Sequence, residues 1–262
     1  MDIKNTIQPK ALHHLLISDN PPILIDVRRK EIFQQSDDII INAYWQDHQQ
    51  VNVWAAQLPL DRDIIIYCAH GQQISLATSA ILQSLGFNSR ILVGGIGNWQ
   101  SQNLPILDRN AWQRYYSKNW TTVQSISLDG LACAWFIKRF INASASIFYI
   151  EDDWANDAAI ETNTSAFNVN KTDTFACHNN AQCTFDSFIN EFSIRSNALQ
   201  YIALIIRSIT TNRLDLSPET AGVKAIYDGL TLTFTEHVLL QQRSAQIFDA
   251  LYSSAKNQQV TT

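Results

Sequence analysis

Cys68 is the residue best placed in this sequence to do chemistry. It ends the apolar run Ile64-Ile65-Ile66-Tyr67 and precedes the loop Ala69-His70-Gly71-Gln72-Gln73, after which a helix begins near Ser75. A thiol reacts as its thiolate, and a helix N-terminus stabilises that anion through partial positive charge and unpaired N–H groups. Gly71 lets the loop curl so that its amides converge on an anion. A thiolate held this way can attack sulfur, keep it as a persulfide and pass it on, while the same amides stabilise the terminal sulfur. His70 either donates a proton to a leaving group and helps keep Cys68 ionised, or faces solvent and offers only its backbone. The bland alternative for Cys68 is a small apolar residue capping a strand.

The elements that must position this cysteine follow from hydrophobic pattern. Residues 64–67 are too few for a helix, and an unbroken apolar run fits a strand buried on both faces of a parallel sheet. Residues 75–82 repeat apolar positions at helical spacing. A cysteine between such a strand and helix sits where open α/β sheets bind ligands. The spacing further predicts a helix over 9–16, with His13 and His14 on its solvated side, and a strand over 23–27 after Pro21-Pro22. A strand over 39–41, a helix over 50–58, a strand over 90–93 and a Gly94-Gly95 turn into a helix through Trp99 complete the alternation. Trp45 and Trp54 read as core rather than as the lining of a specificity pocket. This is the pattern of an α/β doubly wound parallel sheet.

Three motifs in order give residues 1–105 a resemblance to the rhodanese (sulfurtransferase) domain. They are Leu24-Ile25-Asp26-Val27-Arg28, the Cys68 loop, and Ile91-Leu92-Val93-Gly94-Gly95-Ile96-Gly97-Asn98-Trp99. The resemblance implies a rhodanese-like fold, Cys68 as the sulfur-accepting nucleophile, and the backbone of Ala69, His70, Gly71, Gln72 and Gln73 as the substrate cradle. Asp26, Arg28 and Ser75 are supporting residues, Asp26 fixing neighbouring loops and Arg28 forming an ion pair near the rim. Many rhodanese loops carry a basic residue where Gln73 stands; Gln donates hydrogen bonds but supplies no charge. A phosphatase of related fold needs an Arg to close the loop, and Ile74 at the corresponding end excludes phosphoryl chemistry.

Residues 106–119, with Pro105 before them and Trp112, Tyr115 and Tyr116 among them, read as an aromatic join rather than a flexible tether. From Trp120 the pattern becomes mainly helical, with helices expected over 128–141, 185–192, 197–209, 218–234 and 237–255. A small β element is expected over 120–123, 146–150 and 166–169. The run from Leu128 to Ile141, Cys177-His178 with Cys183-Thr184-Phe185-Asp186, Arg213-Leu214-Asp215-Leu216, Glu236-His237 and Phe248-Asp249-Ala250-Leu251-Tyr252 resemble the C-terminal domain of the chromate-resistance ChrB family. Gly130 and Ala134 replace that family's usual Arg and Pro, and Thr210 stands where an Asp is usual. Asp129, His178, Cys183, Glu236 and His237 form a possible polar site in residues 120–262. They follow no zinc-ribbon spacing, so no metal is expected. Asp129 alternatively caps a helix, and Lys138 with Arg139 reads as a solvated or partner-facing pair.

The charged fraction is low, 16%, and the formal net charge is -5. Residues 1–105 hold 7 Lys/Arg against 9 Asp/Glu and the remainder 12 against 15, so neither half is a basic platform for nucleic acid. Four scattered cysteines do not make a secreted disulfide framework, and the opening MDIKNTIQPK has no apolar signal-like core. The expectation is a cytoplasmic enzyme of the thiosulfate sulfurtransferase class, moving sulfur from a small-molecule donor to a thiol or cyanide acceptor. It needs no cofactor beyond the Cys68 persulfide and has neither a nucleic-acid nor a membrane partner; the oligomeric state is open. The alternative is a non-enzymatic oxyanion or redox sensor linked to chromate resistance.

Overall fold

The computed structural model describes residues 5–169, 175 and 182–258. The chain divides into two compact units, one of residues up to Gln113 with Arg139–Ala143, the other of Arg114–Lys138 with residues from Ser144 onward.

In chain order the first unit contains β1 (Thr6–Ile7), α1 (Pro9–Leu16), β2 (Ile23–Asp26), α2 (Lys30–Gln35), β3 (Asp38–Ile40) and β4 (Ala43–Trp45). Then come α3 (Val51–Ala55), β5 (Ile64–Tyr67), α4 (Gln73–Ser84), β6 (Ser89–Leu92), α5 (Gly95–Ser101), β7 (Ile106–Asp108) and α6 (Arg109–Tyr115), the last crossing the division between units. Five strands form a sheet in the order β1-β6-β5-β2-β4, and every neighbouring pair is parallel. β5 lies at its centre, and Ile64, Ile65, Ile66 and Tyr67 have no exposed surface. Burial on both faces is what allows four consecutive apolar residues in one strand. Ile25, Val27, Trp54, Leu82 and Phe87 pack with β5 into one core cluster.

The structure differs from four expectations. Residues 39–41 do not join the parallel sheet: β3 pairs antiparallel with β7, Asp38 opposite Asp108 and Ile40 opposite Ile106. Residues 106–108, read as part of the join, are thus a strand of the first unit. His13 is buried at 2% exposure and packs edge-on against Trp99, ring centroids 5.8 Å apart, whereas His14 is exposed. An apolar stripe of about 100° on a helix is wide enough to take in a flanking imidazole. Arg139 is 6% exposed and pairs with Asp19 at 2.6 Å within the first unit, and the Lys138 amine donates to the Ala145 carbonyl, so neither is a solvated cation.

The second unit is mainly helical around a three-stranded parallel sheet, β10 (Ser165–Ala166), β8 (Trp120–Val123) and β9 (Ile147–Ile150), with β8 in the middle. Its helices are α7 (Leu128–Phe136), α8 (Ala155–Glu161), α9 (Thr184–Glu191), α10 (Asn197–Thr210), α11 (Thr220–Thr233) and α12 (His237–Gln258). All nine residues of α7 are buried, as expected of a helix apolar around its whole circumference. A short π-helical turn, Ile137–Ile141, follows it. Among the described residues no helix is long and apolar enough to cross a membrane.

Candidate active site

Cys68 sits where β5 ends, at the floor of an open pocket of about 390 Å³. The loop from Ala69 to Gln72 carries the chain into α4, with Gly71 buried at φ +64°. A Cβ on Gly71 would lie 2.6 Å from the Leu92 carbonyl oxygen, so only glycine fits. The loop is held from behind by the turn that opens α5. The amides of Ile96 and Gly97 donate to the carbonyls of Cys68 and Ala69 at 3.0 and 3.1 Å. Gly95, at φ +60°, permits this approach, since a Cβ there would lie 2.1 Å from the Cys68 carbonyl oxygen. With those carbonyls tied back, the loop amides are free to face the sulfur.

The thiol is surrounded by donors. The Ser75 hydroxyl donates to Cys68 Sγ at 2.8 Å, and the backbone amides of Gln72, His70 and Ser75 donate to it as well. Burial by itself raises the Cys68 thiol, but these donors outweigh it and hold the thiol below its ordinary value. The site therefore favours a thiolate at the N-terminal end of α4, with 7% of Cys68 exposed. His70 is exposed at the loop's outer edge, and Gln73 is exposed at the first position of α4. Both line the pocket with Ala69 and Gln72.

Asp26 and Arg28 lie beside this loop as a buried pair. Arg28 Nε donates to both Asp26 oxygens at 3.1 and 2.8 Å, and one terminal nitrogen also reaches the Asp38 carbonyl at 2.9 Å. Burial opposes the guanidinium charge, but Asp26 and the neighbouring acidic groups hold it above its ordinary value. The Tyr67 hydroxyl shares the network, accepting from the Ile40 amide at 3.4 Å. The pair thus joins β2, the sheet centre and β3, while Arg28 forms part of the pocket wall. The support given by Gly95, Ile96 and Gly97 was visible in the sequence only as a motif. The glycines fix a backbone approach between segments 28 residues apart, and nothing local in the chain says what they approach.

Of the polar residues expected to form a site in the second unit, the structure brings Asp129 and Cys183 together at the start of α9. Asp129 is not a cap for its own helix, because the Ser127 hydroxyl takes that place by accepting from the Gly130 amide at 3.1 Å. Asp129 instead accepts from the amides of Thr184 and Phe185 at 2.7 and 2.9 Å, capping α9 across the core. Burial nonetheless pushes its carboxyl up, against the pull of those amides. Cys183 precedes α9 and its thiol contacts Asp186 at 3.2 Å; burial pushes the Cys183 and Cys133 thiols up, so both stay protonated. His237 stacks on Tyr149, ring centroids 5.0 Å apart, and Glu236 is exposed. Cys177 and His178 lie outside the described residues. Among the described residues no group of three or more His, Cys, Asp or Glu could hold a metal ion.

Comparison with known proteins was consistent with both halves. The family described as ChrB, C-terminal domain, matches residues 120–255, and the family described as Rhodanese-like domain matches residues 8–102. Protein ChrB of Cupriavidus metallidurans is 36% identical over 76 residues, covering 28% of this chain and 22% of that protein. The match therefore spans only about a fifth of ChrB. A sulfurtransferase of Allochromatium vinosum is 29% identical over 104 residues, covering 39% of this chain and 94% of that protein. Among solved structures, a rhodanese-related protein from Thermoplasma volcanium covers 39% of this chain and 97% of its own at 24% identity and a TM-score of 0.35. A rhodanese-like domain protein from Staphylococcus aureus covers 36% and 90% at 22% identity and a TM-score of 0.33. With more than half of its length matched, the chain belongs to the ChrB C-terminal domain family, and it carries a rhodanese-like domain ahead of that match.

Proposed function

We propose that this protein is a sulfurtransferase that carries sulfane sulfur as a persulfide on Cys68. The observation that supports it is the set of donors on one sulfur: the Ser75 hydroxyl at 2.8 Å and the amides of His70, Gln72 and Ser75, at the floor of an open pocket. The cycle is ping-pong. The Cys68 thiolate attacks the outer sulfur of thiosulfate or a related donor, the donor's S–S bond breaks, and the electron pair leaves with sulfite. The donors that held the thiolate then hold the terminal sulfur of the persulfide. A thiol or cyanide attacks that sulfur, the new S–S bond breaks, and the Cys68 thiolate returns. No metal or separate cofactor enters any step.

One observation favours a second reading. The loop carries Gln73 and no cation of its own, so within the loop thiosulfate, a doubly charged anion, meets only backbone and hydroxyl donors. In this reading the cradled thiolate is oxidised reversibly and the protein is a redox or oxyanion sensor. Thiocyanate formation from thiosulfate and cyanide separates the two. The enzyme reading predicts turnover with parallel initial-rate plots and background rates for Cys68→Ala. A wild-type chain without turnover for thiosulfate or any organic sulfane donor would leave the sensor.

A further inference from the structure

We infer that Arg29 binds the anionic group of the sulfur compound that reacts at Cys68. We infer further that the pocket is built for an organic sulfane-sulfur carrier bearing a carboxylate, in preference to thiosulfate. This rests on the sulfurtransferase reading of the site and names its substrate class.

Among the described residues two cations line the pocket, Arg28 and Arg29, and no acidic residue does. Arg28 is already committed, bridging both oxygens of Asp26 and the Asp38 carbonyl at 3% exposure. Arg29 is exposed, and among the described residues its side chain makes no hydrogen bond or ion pair. It stands directly before α2, outside the Cys68 loop. It is therefore the available cation of the pocket, and it belongs to a different segment from the one where Gln73 supplies none. An anion held by Arg29 enters from the pocket wall rather than from the loop.

The rest of the wall is apolar. Ile32, 47% exposed, and Ile74, half-buried, line the pocket with Arg29 and Cys68. An exposed isoleucine beside a reactive thiol has nothing to offer a small, strongly hydrated inorganic anion, but it can cover a hydrocarbon stem. The volume of about 390 Å³ falls in the range of small organic ligand sites. It is room for roughly a dozen waters. A carrier R–S–SH with a carboxylate on R matches all three features. Its carboxylate meets Arg29, its stem lies on Ile32 and Ile74, and its outer sulfur faces Cys68. The Cys68 thiolate attacks that outer sulfur, the R–S–S bond breaks, and its electron pair leaves as R–S⁻, which takes a proton from water. The sulfur stays on Cys68, and no oxidant or reductant is consumed.

The test has two arms on the full chain. In the first, alkylation of Cys68 is followed by peptide mass with iodoacetate, which carries a carboxylate, and with iodoacetamide, which does not. The iodoacetate-to-iodoacetamide rate ratio cancels any change in the thiol itself. It should fall about threefold or more in Arg29→Gln, the worth of one exposed ion pair, and return in Arg29→Lys. In the second arm, sulfur loading of Cys68 is measured with glutathione persulfide and with thiosulfate. Glutathione persulfide should half-load the protein at the lower concentration, and Arg29→Gln should raise that concentration about threefold or more. An unchanged alkylation ratio in Arg29→Gln overturns the role of Arg29. Preference for thiosulfate overturns the substrate class. The alkylation arm needs no sulfur transfer, so a wild-type chain that no donor loads overturns the sulfurtransferase reading, and the substrate class with it, separately from Arg29.

Discussion

Ser75 is the side chain on which the reactivity of Cys68 most depends, because among the described residues it is the one side-chain donor on the sulfur. Ser75→Ala removes a hydrogen bond made to an anion, a loss of about 1–2 kcal/mol. The thiol pKa should rise, so the pH profile of iodoacetamide alkylation should move to higher pH and the rate at pH 7 should fall roughly fivefold or more. The sign follows from the chemistry: the thiolate reacts, and losing a donor to the thiolate favours the protonated form. The three described cysteines should also separate cleanly. Cys133 and Cys183 are buried thiols pushed up by their surroundings, so at pH 7 limited iodoacetamide should label Cys68 and leave those two intact, as read by peptide mapping. At this scale the sequence showed where Cys68 stands, because strand, thiol, glycine loop and helix are adjacent in the chain. It did not show that the Ser75 hydroxyl points at the sulfur or that Asp129 caps a helix 55 residues away. Those facts depend on rotamers and packing, which leave no local pattern.

At the scale of elements, the β5–loop–α4 unit works because the turn into α5 holds the loop's carbonyls. Gly95→Ala tests this. The added Cβ meets the Cys68 carbonyl oxygen, and the residue must keep a positive φ. The expected cost is about 2–3 kcal/mol in urea unfolding. Sulfur loading of the remaining folded protein should fall as well, because the Ile96 and Gly97 bonds to the loop stretch; loading at the wild-type rate would contradict the bracing role. Long elements were legible: α1, β5, α4, α7 and α9 to α12 were expected from their apolar pattern, whereas the short α2 and α8 were not. The short edges were not. β3 reads as another strand of the main sheet because three isoleucines carry no sign of which neighbour they take. β7 is three residues after a proline and pairs with a strand about 70 positions earlier, so composition cannot reveal it.

For the whole molecule, the division into units does not follow the chain in one cut. Arg139–Ala143 belongs with the first unit. Within that unit the Asn42 side chain donates to the Arg139 carbonyl at 2.8 Å and accepts from the Ala143 amide at 2.7 Å, and the Asn42 amide donates to the Phe140 carbonyl at 2.8 Å. A chain ending at residue 119 lacks these three bonds to the buried Asn42. It should therefore unfold with about 2 kcal/mol less stability than the same unit in the full chain, measured by urea denaturation followed through Cys68 alkylation. Asn42→Ala in the full chain should lose a comparable amount. Equal stability of the truncated and full chains would show that the segment adds nothing. The change of pattern near Trp120 suggests a single cut, whereas the units divide at Gln113 and take Arg139–Ala143 back into the first, which is a tertiary fact.

The central claim is that Cys68 takes and releases a sulfur atom, and intact mass reads it most directly. After exposure to a sulfane donor, the wild-type chain should gain one sulfur, Cys68→Ser should gain none, and cyanide should remove the gain. No adduct with thiosulfate or glutathione persulfide at any concentration, or an adduct that persists in Cys68→Ser, would contradict the account.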